Sequence, residues 1–163
     1  ISLAAPRPAA WRSMPLNDDG DIVRGLGFVT IYAAYMEEAV DECRQVLMRR
    51  DSEPPKRTER WPIGERVKYV RDRLATHAPL PDELAGLPHL LDYIDELLER
   101  RNEVIHGRIY GGMQGEKDEL RPGRPGGSAK PIASDELYAL ANSLFETLGP
   151  LNHASMFALR RLP

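Results

Sequence analysis

Residues 84–110 read LAGLPHLLDYIDELLERRNEVIHGRIY, and this stretch decides the fold class. Its apolar residues Leu87, Leu90, Leu91, Ile94, Leu97, Leu98, Val104 and Ile105 recur at three- and four-residue steps. That spacing is a helix with one buried stripe. At about 100° per residue, Arg101 projects within roughly 20° of Ile94, in the middle of the stripe. Burying an unpaired charge is costly, so a guanidinium there requires a partner, a water-lined cleft or a subunit boundary. The stretch is expected to start its helix near Asp82 or Gly86, with Pro88 in the first turn, and to stop at Gly107.

Working outward, the same spacing recurs on both sides. Towards the N-terminus, Ile22, Leu26, Val29, Ala33, Met36, Val40, Cys43 and Leu47 alternate steps of four and three, a sustained heptad seam over residues 21–50. Asn17, Asp18 and Asp19 offer its N-cap. Phe28, Tyr32, Tyr35 and Val46 lie off the seam, so this helix is expected to meet more than one neighbour as a central bundle helix, the alternative being that it also supplies a homodimer face. Gly25 and Gly27 near its start would permit close helix approach. Residues 51–61, DSEPPKRTERW, form a charged, proline-broken loop. Pro62 then opens a second helix on which Ile63, Val67, Val70 and Leu74 keep the spacing.

Towards the C-terminus, residues 107–133 contain seven glycines and three prolines and cannot hold a helix. This long segment is expected to be a flexible loop acting as a lid or specificity element, with a short hairpin around Gly111-Gly112. Ser134 should cap a fourth helix, with Asp135 and Glu136 at the positive end of its dipole. Leu137, Leu140, Ala141, Leu144, Leu148, Leu151, Ala154 and Ala158 mark its buried face, and Gly149-Pro150 should kink or split it. Residues 1–18, rich in proline and alanine, read as an extended arm. The expectation is an all-α bundle of four main helices forming a single domain over residues 19–163, with a Gly/Pro-rich insert before the last helix.

Composition narrows the function. The net charge of −3 disfavours a wholly basic nucleic-acid binder, yet residues 44–73 hold ten Lys or Arg against five Asp or Glu. Arg66, Lys68, Arg71 and Arg73 crowd the outer faces of the second helix as a candidate phosphate-facing surface. The alternative is a solvated face paired with Glu65 and Asp72. The single cysteine, Cys43, suits a reducing cytoplasm. No apolar run approaches the roughly 20 residues of a membrane span, so a cytoplasmic chain without membrane contact is expected.

Walker, dinucleotide and nucleophile-elbow motifs are absent, and one cysteine with scattered histidines makes no zinc module. Glu103-x-x-His106 has the spacing of a two-metal bundle ligand pair, but Leu74, Gly86 and Pro150 stand three residues before His77, His89 and His153. No second such pair exists, and neither a metal nor a cofactor is expected. What remains is Arg101 with His106. An always-charged guanidinium and an imidazole able to take or give a proton suit cleavage of a phosphodiester by an internal 2'-hydroxyl. The arginine would offset charge building on the phosphorane. Residues five apart on one straight helix diverge by about 140°. The pair therefore requires either a helix that unwinds at His106-Gly107 or two chains sharing a cleft. The other reading of the same residues is structural: Arg101 favouring the helix dipole and His106 capping its last carbonyls.

The run Arg101-Asn102-Glu103-Val104-Ile105-His106, late on a long helix of a small bundle, resembles the Rx4-6H motif of the HEPN superfamily. The order of four helices extends that resemblance over about residues 20–162. HEPN domains are helical, usually dimeric, and include metal-independent ribonucleases of toxin-antitoxin, abortive-infection and CRISPR systems. The resemblance implies Arg101 and His106 as a catalytic pair, Asn102 as a polar auxiliary, a homodimer, an RNA substrate, and a cognate antitoxin or inhibitor in a toxin or phage-defence setting. Its alternative is a catalytically inactive HEPN-like module that binds protein or nucleic acid.

Overall fold

The structure, a computed structural model, describes residues 16–111, 118–123 and 130–162. It is mostly helical, with helices α1 Ile22–Met48, α2 Ile63–Ala75, α3 Leu87–Ile105 and α4 Ser134–His153, and strands β1 Arg108–Tyr110 and β2 Glu119–Arg121. A π-helical turn, Ala154–Ala158, and a 3-10 turn, Leu159–Arg161, follow α4. Among the described residues no helix is long and apolar enough to cross a membrane. Trp11 and most of the N-terminal arm lie outside the described residues.

The chain separates into two compact units. One holds Met36–Asp95 with residues 146–162; the other holds residues 16–35 with Glu96–Phe145.

The first unit is built on the seam of α1. Met36, Val40, Cys43 and Leu47 are buried, as are Val67, Val70 and Leu74 of α2, Leu87, Leu91 and Ile94 of α3, and Leu151 beyond them. The period legible in the sequence is therefore the core. The Cys43 thiol meets the Leu151 carbonyl (3.5 Å), and burial pushes its pKa up to about 12. Among the described residues of this unit, one cation is buried. Arg44 is only 5% exposed, and its guanidinium donates to Asp41 (2.8 Å) and to the Thr58 hydroxyl (2.5 Å). These charge-assisted bonds hold the short Thr58–Arg60 turn against α1.

In the second unit, α1 is capped by Asp21, whose carboxylate accepts the Arg24 N–H (2.9 Å). The earlier candidates Asp18 and Asp19 instead brace the turn at Gly20, which has a φ of +80° and so a conformation suited to glycine. Phe28 and Tyr32 leave the seam to pack on Tyr138 and Phe145 of α4. A Cβ at Gly25 would lie 3.0 Å from the Leu137 Cβ, so this glycine marks a close approach of α1 to α4; Gly27 has no neighbour within 4 Å and does not. The Tyr138 hydroxyl donates to Asp19 (2.7 Å), which holds that carboxyl below its usual range. Burial, aided by the same bond, pushes the phenol up to about 12.

Two local expectations are corrected. Ser134 does not cap α4: its hydroxyl donates to Asp18 (3.1 Å), while Glu136 reaches back to the Ala133 N–H (3.4 Å). Pro150 neither splits nor ends α4, which continues to His153 before the π turn. A proline removes a single ladder bond, and Leu151 beside it is fully buried. A hairpin does form, with Tyr110 paired to Glu119; Gly112 of the expected Gly111-Gly112 turn lies outside the described residues.

Candidate functional site

Arg101 and Asn102 lie near the C-terminal end of α3 and are half-buried, while His106 lies one residue past the end of the helix and is exposed. Val104 fills the core between them at 1% exposure. The Nε of Arg101 is shielded from water, which agrees with its position in the apolar stripe. The adjacent Arg100 bonds Glu103 (2.9 Å) and Glu136 of α4 (2.5 Å), fixing this end of α3 to the start of α4. Glu103 is thereby engaged, and among the described residues no group of three metal-ligating side chains forms.

The helix does not unwind before the histidine. The His106 N–H still donates to the Asn102 carbonyl (3.3 Å), and the chain tightens only at Gly107, whose N–H reaches Val104 (3.0 Å). Helical winding through His106 keeps the divergence of about 140° from Arg101. The helix stops just before Gly107, where the sequence places its end, and this glycine has no positive φ. A Cβ there would meet the Arg121 carbonyl at 2.7 Å and the Leu120 side chain at 2.8 Å, so its role is close approach of the hairpin. Gly123 is tighter still: a Cβ would overlap the His106 carbonyl, and its N–H points to the Glu103 carbonyl (3.5 Å). The turn bearing His106 is thus wedged between α3 and the strand β2.

On the hairpin, Arg108 pairs across the strands with Arg121, and Tyr110 with Glu119. Leu120 is buried on the other face, where it also bridges to Ile132. Like charges placed directly opposite are unfavourable. Arg121 is relieved by Glu119 (3.3 Å) and by the ring of Tyr110 (5.4 Å to its centroid). Arg108 has no acidic partner among the described residues. This exposed Arg, Arg and Tyr set begins two residues after His106, and sequence reading passed over it. Alternation of polar and apolar residues at 108–110 was its only signal.

The cations of α2 are placed differently. Arg66 faces Asp41 (3.2 Å) and donates to the Trp61 carbonyl (2.9 Å). Lys68 pairs with Asp72 (2.9 Å), and that bond raises the pKa of its ammonium. Arg71 bonds Asp95 (2.6 Å) and Asp92 (3.1 Å), and the Asp95 bond raises its pKa. Arg73 is bound by Asp51, which also accepts the Tyr69 hydroxyl. Each of the four cations is matched by a carboxylate, so the helix presents far less free positive charge than its composition suggests.

Chemically, the end of α3 offers an exposed imidazole, a half-buried guanidinium and amide, and a neighbouring cationic strand. The chain matches no protein-family model, no curated protein and no solved structure.

Proposed function

We propose that Arg101, Asn102 and His106 form a metal-independent endoribonuclease centre of the HEPN type, completed by a second copy of the chain. The observation that carries this reading is the pairing of a half-buried Arg101 with an exposed His106 on one undistorted helix end. Because the two diverge within one chain, the reading requires the arginine of one copy and the histidine of the other to line a shared cleft. There the 2'-hydroxyl of RNA attacks the adjacent phosphorus, forming a 2',3'-cyclic phosphate and releasing a 5'-hydroxyl. Imidazole takes the proton of the attacking group and returns one to the leaving oxygen, while Arg101 stabilises the phosphorane and Asn102 orients it. Arg108, Arg121 and Tyr110 supply phosphate and base contacts beside His106. The expected backbone track along Arg66, Lys68, Arg71 and Arg73 is retained as a weaker contribution, because each already faces a carboxylate. A toxin or phage-defence role with a cognate inhibitor belongs to the same proposal.

The test is cleavage of mixed RNA in chelator by wild type, Arg101→Ala and His106→Ala. Wild type should cut and each variant should not. If the site is shared, mixing the two dead variants restores about a quarter of the activity, since half the dimers carry one intact site of two. Cleavage that persists in either variant, or that needs a divalent cation, overturns the proposal.

A second reading, an inactive HEPN-like binding module, is favoured by one observation. Val23, Ile31 and Tyr35 of α1 are 60%, 48% and 52% exposed and fall within about 120° of one another around the helix. A stable oligomer without RNA cleavage would select it.

A further inference from the structure

Within the unit formed by Met36–Asp95 and residues 146–162, a recess of about 370 Å³ is lined by Leu47, Arg50, Arg73 and His77. Two of these residues close helices: Leu47 lies in the last turn of α1 and Arg73 in the last turn of α2. Arg50 and His77 each follow two residues past the corresponding helix end. Arg73 and His77 are one helical turn apart, and the packing of the unit brings Arg50, more than twenty residues earlier in the chain, to the same opening.

The charge balance at this recess is positive. Arg73 is neutralised by Asp51, a carboxylate it shares with Tyr69. Arg50 bonds only carbonyls, those of Arg160 (3.0 Å) and Leu162. Carbonyls satisfy N–H groups but cancel no formal charge, so two guanidiniums face one carboxylate. A guanidinium carries five N–H donors. These bonds occupy two donors of Arg50 and one of Arg73, leaving a majority of each set for a ligand. The imidazole of His77 adds a further donor.

Two helix C-termini would ordinarily repel an anion through their exposed carbonyls. Here those carbonyls are already occupied. Leu47 O accepts Arg50 N–H (3.0 Å), and Met48 O accepts Asp51 N–H (3.2 Å). Arg73 O accepts the Thr76 hydroxyl (2.7 Å), and Leu74 O accepts His77 N–H (3.0 Å). What the recess presents is donors on one side and the apolar edge of Leu47 on the other. Its volume lies in the lower range of small-molecule sites and exceeds what a bare ion fills.

We infer that the Arg50, Arg73 and His77 recess is a binding site for the phosphate group of a small phosphomonoester, with Leu47 bordering the carbon portion. The inference lies in a different unit from the proposed nuclease centre and stands independently of it.

Titration calorimetry on the full chain with inorganic phosphate and with ribose 5-phosphate tests it. Saturable binding of either probe is expected in wild type, and His77→Ala and Arg50→Gln should each weaken it about tenfold, as loss of one charge-assisted hydrogen bond does. Tighter binding of ribose 5-phosphate identifies a phosphomonoester as the occupant, and equal binding identifies free phosphate as sufficient. His77 lies in a loop, so its variant keeps the test valid if Arg50→Gln loosens the C-terminal turn. The inference is overturned if neither probe saturates below about 10 mM, or if His77→Ala binds as wild type does.

Discussion

Replacing Arg44 with methionine tests whether a buried cation, rather than the apolar seam alone, holds the Thr58–Arg60 turn against α1. Methionine keeps the length and apolar stem of the side chain but removes its charge. The change deletes the bond to Thr58 (2.5 Å) and one of the two guanidiniums on Asp41, leaving Arg66 (3.2 Å) and Gln45 (2.8 Å). Breaking a buried pair by removing one partner costs about 3–5 kcal/mol. Because Asp41 keeps two partners, the lower end applies, and a loss of about 3 kcal/mol should move the urea midpoint by roughly 1.5 M. The pH dependence follows from Asp41. Burial works to raise its pKa, but the bonds from Arg44 and Gln45 and the charges of Arg44 and Arg66 prevail, leaving it below the ordinary 3.8. A carboxyl depressed on folding stabilises the protein above its unfolded pKa and loses that contribution as pH falls through its folded value. The advantage of wild type should therefore be constant from about pH 7 to 5 and shrink below about pH 4. Urea unfolding followed by circular dichroism at a series of pH values measures it. A loss under about 1 kcal/mol, or one unchanged down to about pH 3, refutes the account.

Two further substitutions or reagents probe other links. Gly123→Ala forces a methyl into the His106 carbonyl, so it should lower stability by about 1–3 kcal/mol and, under the proposed nuclease function, reduce RNA cleavage further than that loss explains. Gly111→Ala, whose nearest neighbour would be 3.8 Å away, is the matched control, and equal cleavage rates for the two variants would dismiss the wedge. The Cys43 thiol, buried and pushed up to about 12, should resist alkylation in the native protein at pH 8 and react once urea unfolds it. Rapid native labelling, followed by mass spectrometry, would contradict that burial.

The sequence by itself determined the helices. Steps of three and four place one side of each helix in the core, and of the eight seam residues of α1 only Leu26 is left half-exposed. The half-buried position of Arg101 was legible in the same way, because helical phase is a local property of the chain. Local chemistry was legible where partners are neighbours, as with Lys68 and Asp72, one helical turn apart. Tertiary structure alone decided the rest. Arg71 meets Asp95 across 24 residues and Arg73 meets Asp51 across 22, so a helix that reads as a free basic surface is largely neutralised. Glycines 107 and 123 owe their identity to the approach of β2 to the end of α3, not to a turn that a local pattern encodes. Arg50, Arg73 and His77 converge only after two helices end at the same place. Periodicity fixes which way a side chain points along its own helix. Which charges face one another depends on how those helices pack, and one chain read in line carries no distance between them.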